Sequence, residues 1–185
     1  ESTPASGLTL LSMNDVTERE PTNLAQALEN VAGASTVSEG QAAVPALRGL
    51  SAGRTLILID GARVSSERRA GPSATFMDPA VLEAVEVSRG PGALAYGSDA
   101  FGGVIQMRTR RAEPRTPFGG RFEGSLGAGS PQQRVALTLT KGFARGGLLV
   151  EGHYRNFENW QSPQGEVQNS GSSDRGFLLR FDHLL

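Results

Sequence analysis

The sequence contains no cysteine, which excludes disulfides and thiolate metal sites. Its only histidines are His153 and His183, and no acidic cluster at ligand spacing accompanies either, so no metal is expected. No D-x-D-x-D-G calcium loop occurs. Lysine is nearly missing: Lys141 stands alone, and the other cations are arginine. The formal net charge of −1 leaves no basic excess for phosphate, and no nucleic-acid partner is expected. No apolar run approaches the ~20 residues that a membrane-spanning helix needs. No charged-then-apolar signal segment opens the chain.

What is present is glycine, 24 residues of it, scattered through apparent strands rather than set at a collagen period. With 185 residues, 38% of them hydrophobic, the chain suffices for one ordinary domain, or for a small domain and a piece of another. "GLTLLS" and "TLILID" read as strands, the second ended by a turn at Asp60-Gly61. "EPTNLAQALENVAG" reads as a helix with Leu24, Ala27, Leu28 and Val31 on one face, Thr22 as its cap and Gly33 at its end. "DPAVLEA" predicts a second short helix, with Asp78 as N-cap and Pro79 in its first turn. It leads into the strand "AVEVSR", the glycine-rich stretch "RGPGALAYGSDAFGGV" and the strand "GVIQMRTR". These elements make a small α+β unit with short strands and two helices.

After "AEPRTP" the texture changes. Four segments, "GRFEGSLGAGS", "QRVALTLTKGF", "GLLVEGHYRNF" and "GFLLRFDHL", alternate over nine to eleven residues each. Val135, Leu137 and Leu139 share a face opposite Ala136, Thr138 and Thr140. Leu148, Val150 and Tyr154 oppose Glu151, His153 and Arg155, and Phe177, Leu179 and Phe181 oppose Arg180 and Asp182. Strand length and turn spacing fit the wall of a transmembrane β-barrel, and equally half of a β-sandwich or meander. Four strands cannot close a barrel, so on the barrel reading the chain is a fragment.

Two motifs suggest chemistry and fail on context. Gly90, Gly92 and Gly97 approximate a dinucleotide fingerprint, but Pro91 removes an amide donor and a strand, not a long helix, follows. "GLSAG" matches the nucleophile-elbow pattern, yet Ser51 precedes the strand "RTLILID". No catalytic residue is expected.

"PALRGL", "TLILIDGARV" and "DPAVLEAVEVSRGPGALAYGSDAFGGVIQMRTR" together resemble the plug domain of TonB-dependent outer-membrane receptors. The motif turns that carry the resemblance are Gly49, Asp60, Gly61, Gly90, Pro91, Tyr96, Gly97, Gly102 and Gly103. The family's leader helix usually ends in Pro-Gly, where this chain has Ala32-Gly33. The resemblance implies a plug domain over 1–115, an α+β fold with a short mixed sheet and small helices. The antiparallel strands of an incomplete transmembrane β-barrel follow over 116–185. It implies energised uptake of a scarce ligand of the ferric siderophore, haem or cobalamin class, no enzyme activity and no cofactor. Its partners are the TonB protein with the inner-membrane energising complex, the small-molecule ligand, and outer-membrane lipid around the full-length protein.

The resemblance also assigns residues. Arg48 and Arg89 match positions that lock the plug to glutamates on the barrel wall. The outward loops map to 38–44, 51–54 and 66–75, and imply ligand contacts at Glu39, Gln41, Arg54, Arg68, Arg69 and Ser73. Tyr96 is expected to anchor its turn by packing its ring. No TonB-contacting box is recognisable near Glu1, so that segment is expected upstream. The alternatives are a stand-alone soluble plug-like periplasmic binding module, or a hydrolase using Ser51.

Overall fold

The structure is a computed structural model, and it describes residues 7–12, 21, 23–37, 43–65, 77–89, 96–97, 99–127 and 132–183. The chain divides into two compact units, Glu1–Thr109 and Arg110–Leu185.

The first unit holds β1 (Leu8–Ser12), α1 (Leu24–Ala27), β2 (Ala34–Val37), β3 (Val44–Leu47), β4 (Thr55–Ile59), β5 (Ala62–Arg63), β6 (Leu82–Ser88) and β7 (Gly103–Thr109). Five strands form one mixed sheet in the order β1-β6-β7-β4-β5, and β2 pairs with β3 separately. Among the described strands, β4 and β7 are the one parallel pair. Register explains the core. Ile57 stands beside Ile105, and Ile105 beside Val87, while Met107 neighbours Val85. All five side chains are buried. On the other face Leu56, Leu58, Val104 and Ala100 form a second buried cluster. Apolar residues on both faces suit central strands covered on two sides.

The predicted apolar helix face is present, since Leu24, Ala27, Leu28 and Val31 are all buried. The helix itself is shorter than expected. After Ala27 the chain continues in i→i+3 turns, with Leu28 N donating to Ala25 O, Glu29 N to Gln26 O and Val31 N to Leu28 O. Tighter turns keep the same face inward where Asn30, Val31 and Gly33 disfavour the α-helix. The cap is Asn23, whose Oδ1 accepts from Gln26 N at 3.0 Å. Thr22 lies outside the described residues.

The second predicted helix is a single 3-10 turn, Pro79–Val81. Asp78 does cap it, accepting from Ala80 N at 2.8 Å. The strand then starts at Leu82, earlier than expected, because the alternation through Val85 and Val87 satisfies β pairing with β7 at once. Among the described residues the first unit therefore has one small α-helix, and the second predicted helix is a 3-10 turn.

The second unit is an antiparallel meander of β8 (Gly119–Gly127), β9 (Gln132–Phe143), β10 (Gly146–Phe157) and β13 (Ser172–His183), in the order β13-β10-β9-β8. The long polar connection holds a small hairpin, β11 (Gln161–Ser162) with β12 (Gly165–Glu166). The strands run to nine and twelve residues, somewhat longer than the sequence reading. The expected faces hold in β9, β10 and β13. The sheet is open and forms no closed barrel. No described helix is long and apolar enough to cross a membrane.

Candidate functional site

Turn chemistry shapes the motif positions of the first unit. Arg48 (φ 54°) and Gly49 (φ 73°) are both left-handed. Leu47 N donates to Leu50 O at 3.0 Å and Leu50 N to Leu47 O at 2.9 Å, closing a two-residue hairpin of the mirror type. A left-handed arginine costs about 1–2 kcal/mol. Its N–H is fixed by donation to Gly33 O at 2.7 Å, and its side chain is exposed.

Asp60 (φ 48°) and Gly61 (φ 84°) repeat the device between β4 and β5. Here the side chain also works. Asp60 Oδ1 accepts from Thr109 N at 3.0 Å, and Oδ2 accepts from Thr109 Oγ1 at 2.5 Å. Asp60 N donates to Met107 O at 2.9 Å. One aspartate thus ties the end of β4 to the end of β7.

Gly102 and Gly103 serve close approach. A Cβ on Gly103 (φ 144°) would stand 2.5 Å from Ser88 O and 2.7 Å from Leu47 Cδ1. A Cβ on Gly102 would stand 2.8 Å from Thr55 Oγ1 and 2.9 Å from Leu47 O. The ends of β3, β4 and β6 converge there on the start of β7. Gly102 N donates to Arg54 O at 2.8 Å, which places exposed Arg54 beside this junction.

Arg89 is held inside its own unit. Its N–H donates to Gly7 O at 2.8 Å. Its guanidinium donates from Nη1 to Ala32 O and from Nη2 to Thr9 Oγ1. Nε lies 3.4 Å from Gly7 O. Tyr96, expected to pack its ring, is instead exposed. Ala100 N donates to Gly97 O at 3.3 Å, and Asp99 pairs with Arg63 across from β5. Ser51 sits in a turn before a 3-10 turn, Ala52–Arg54, and β4. Glu39, Gln41, Arg68, Arg69, Ser73, Gly90 and Pro91 lie outside the described residues.

The second unit turns its polarity inside out. Glu151 and Arg155 are 2% and 1% exposed, and His153 8%, whereas Phe122, Leu126 and Phe177 on the opposite face are 71%, 85% and 70% exposed. The buried charges are connected. His153 Nδ1 lies 3.1 Å from Glu151 Oε1, and His153 Nε2 3.6 Å from Asp174 Oδ2. Arg155 Nε donates to Asp174 Oδ1 at 2.8 Å, with Nη2 on the second oxygen. Arg155 and Asp174 are direct cross-strand partners, and His153 faces Gly176. A Cβ at position 176 would meet the imidazole, 2.6 Å from Nε2, so this glycine makes room for the ring. Further along, Arg134 lies 3.7 Å from Glu123, itself 3.3 Å from Arg121. The sequence reading placed Glu151, His153 and Arg155 on one face but did not find their partner Asp174. The signal was available, since pairing "HYRNF" with "SSDRGF" through the long loop sets Arg155 opposite Asp174.

These two units, a glycine-hinged mixed sheet and an inverted meander, have counterparts among known proteins. The model of the TonB-dependent receptor plug domain matches residues 1–104. The chain belongs to that family. The vitamin B12 transporter BtuB of Vibrio vulnificus (strain CMCP6) is 35% identical over 148 residues, 76% of this chain and 23% of that protein. The iron-regulated outer membrane virulence protein of Vibrio cholerae (El Tor Inaba N16961) is 35% identical over 118 residues, 60% of this chain and 18% of that protein. This chain therefore spans about a fifth of the length of those relatives. Neither relative is named as an enzyme. Among solved structures, the ferric enterobactin receptor PfeA in complex with BCV-L6 superposes with a TM-score of 0.71 at 23% identity, over 86% of this chain and 26% of that one. The siderophore receptor PirA of Pseudomonas aeruginosa gives a TM-score of 0.71 at 22% identity, over 99% of this chain and 33% of that one. These likenesses show the fold: a plug followed by part of a barrel wall.

Proposed function

We propose that this chain is the plug (1–115) and the first wall strands (116–185) of an outer-membrane receptor that takes up a scarce ligand at the expense of inner-membrane energy. The ligand is of the siderophore, haem or cobalamin class, and TonB is the energising partner. The plug gates the lumen of the completed barrel. The relatives named for vitamin B12 transport and for an iron-regulated outer-membrane protein support the ligand class.

The observation that carries the reading is the inverted meander. Its apolar face is the exposed one, as a lipid-facing wall requires and a soluble sandwich forbids. Along β10 the outward register runs from Tyr154 to Gly146, nine residues separated by eight steps. At ~3.4 Å per residue that is about 27 Å of strand, or about 21 Å of height at a tilt of ~40°. An outer-membrane barrel carries an apolar band ~25 Å tall with aromatic girdles. Tyr154 stands at one end of this band, and Phe143, Phe181 and His183 at the other.

Within that reading, Glu39, Gln41, Arg54, Arg68, Arg69 and Ser73 contact ligand, and Arg48 and Arg89 pair with glutamates of later wall strands. Arginines suit an anionic ligand because the guanidinium fork matches carboxylate and catecholate oxygens. The test is expression of the complete reading frame in a Gram-negative host. The protein is expected in the outer-membrane fraction, supporting growth on one of a panel of ferric siderophores, haem or cobalamin only while TonB is present. A monodisperse product in the soluble periplasmic fraction would refute the proposal.

A further inference from the structure

β1 is the first described strand of the plug sheet and lies at its edge, where β6 is the strand it pairs with. Edge strands with one neighbour open first in local unfolding. Leu8 and Leu10 on its outer side are exposed, so apolar burial does little to hold it. Arg89 supplies what the sheet does not. It follows directly after β6 and meets Gly7 through its backbone. Its side chain crosses to Thr9 on β1 and to Ala32 at the end of the helical turns. Gly33, next to Ala32, accepts from Arg48 N. One guanidinium therefore joins β1, β6 and the helix end, and that end is joined in turn to the Arg48 turn. A charged donor makes each of these bonds stronger than a neutral pair.

We propose that Arg89 is a clasp that fixes β1 and so sets when the plug begins to open under a pull from the chain's amino-terminal side. The pull rests on the receptor reading above, but the clasp does not. A strand drawn from its amino end must break the Thr9 contact before the rest of β1 can peel from β6. The fork geometry matters: Arg89 meets Ala32 and Thr9 from two separate nitrogens, whereas lysine at this position keeps the charge but carries all its donors on one.

The test is amide hydrogen exchange on the whole chain in detergent, comparing wild type with Arg89→Lys and Thr9→Val. Thr9→Val is close in shape and removes one bond, so it keeps the test valid if the arginine variant folds poorly. Exchange at the β1 amides that pair with β6 is expected to rise about tenfold in Arg89→Lys and severalfold in Thr9→Val. The amides of Ile105 and Met107 in β7 are expected to keep the wild-type rate. Unchanged β1 exchange in both variants would overturn the clasp. So would an equal rise at β1 and β7, which would make Arg89 a general stability residue. A β1 loosened in Arg89→Lys within a protein that never reaches the outer membrane would refute the receptor reading and leave the clasp standing.

Discussion

Alanine at Gly103 should damage the plug out of proportion to one methyl group. The residue opens β7 at φ 144°, a conformation that side chains rarely adopt. Forcing alanine there costs about 1–3 kcal/mol of backbone strain. The new Cβ would lie 2.5 Å from the Ser88 carbonyl oxygen, which is backbone and already paired in β6. It would also lie 2.7 Å from Leu47 Cδ1, on a side chain that is fully buried and has no free space to turn into. Overpacking of this kind costs about 1–3 kcal/mol more. The sum, about 2–6 kcal/mol, is a large share of the ~5–15 kcal/mol that stabilises an ordinary domain. Gly49→Asn is the control. Position 49 is also left-handed, but no atom stands within 4 Å of its Cβ site, and asparagine tolerates that region at a cost below about 1 kcal/mol. Denaturant-dependent hydrogen exchange at Ile105 and Val85 reads both variants in the plug alone. Equal effects at the two positions, or a Gly103→Ala variant as stable as wild type, would refute the packing argument.

Two further outcomes are expected in the wall. Asp174→Ala removes the fork partner of buried Arg155 and should cost about 1–3 kcal/mol, less than a fully buried pair because Asp174 is partly exposed. The double variant Arg155→Met with Asp174→Leu should recover most of that loss in a double-mutant cycle followed by equilibrium unfolding. Leu179→Arg, on the exposed apolar face, should lower the stability of the full-length protein in lipid vesicles by about 2–4 kcal/mol, read from its folded yield against denaturant.

The meander was legible because each of its strands carries its own alternation, whereas β4 of the mixed sheet showed as a continuous apolar run. A period of two survives whatever the partner strand turns out to be, so the faces of β9, β10 and β13 followed from single residues such as Val135, Tyr154 and Phe181. The helices were less legible. The apolar face at Leu24, Ala27, Leu28 and Val31 is compatible with both 3.6- and 3.0-residue turns, and only the hydrogen bonds separate them. At Pro79–Val81 cap chemistry was read correctly, but strand pairing of Leu82 onward overrode it. The charge network was hidden for a different reason. Asp174 lies nineteen residues from Arg155, and the pair exists only once a long loop has fixed the register. Tyr96 misled because the motif marks a turn, and a turn can be held without its aromatic ring.

The arginine at position 89 joins these scales. The family resemblance gives it a partner on the wall, while the structure gives it partners inside the plug. The two assignments do not compete for donors. A guanidinium carries five N–H groups. Ala32 and Thr9 take one each from Nη1 and Nη2, and Nε faces Gly7, which leaves one N–H on each terminal nitrogen. A carboxylate can accept from these remaining donors as a charge-assisted pair. Under the proposed lock, a wall glutamate would hold the guanidinium in the orientation that also grips β1. Loss of that glutamate would then weaken the hold on β1 through a single side chain. Exchange at β1 should therefore respond to substitution of the wall glutamate in the full-length receptor, and only when Arg89 is present to transmit it.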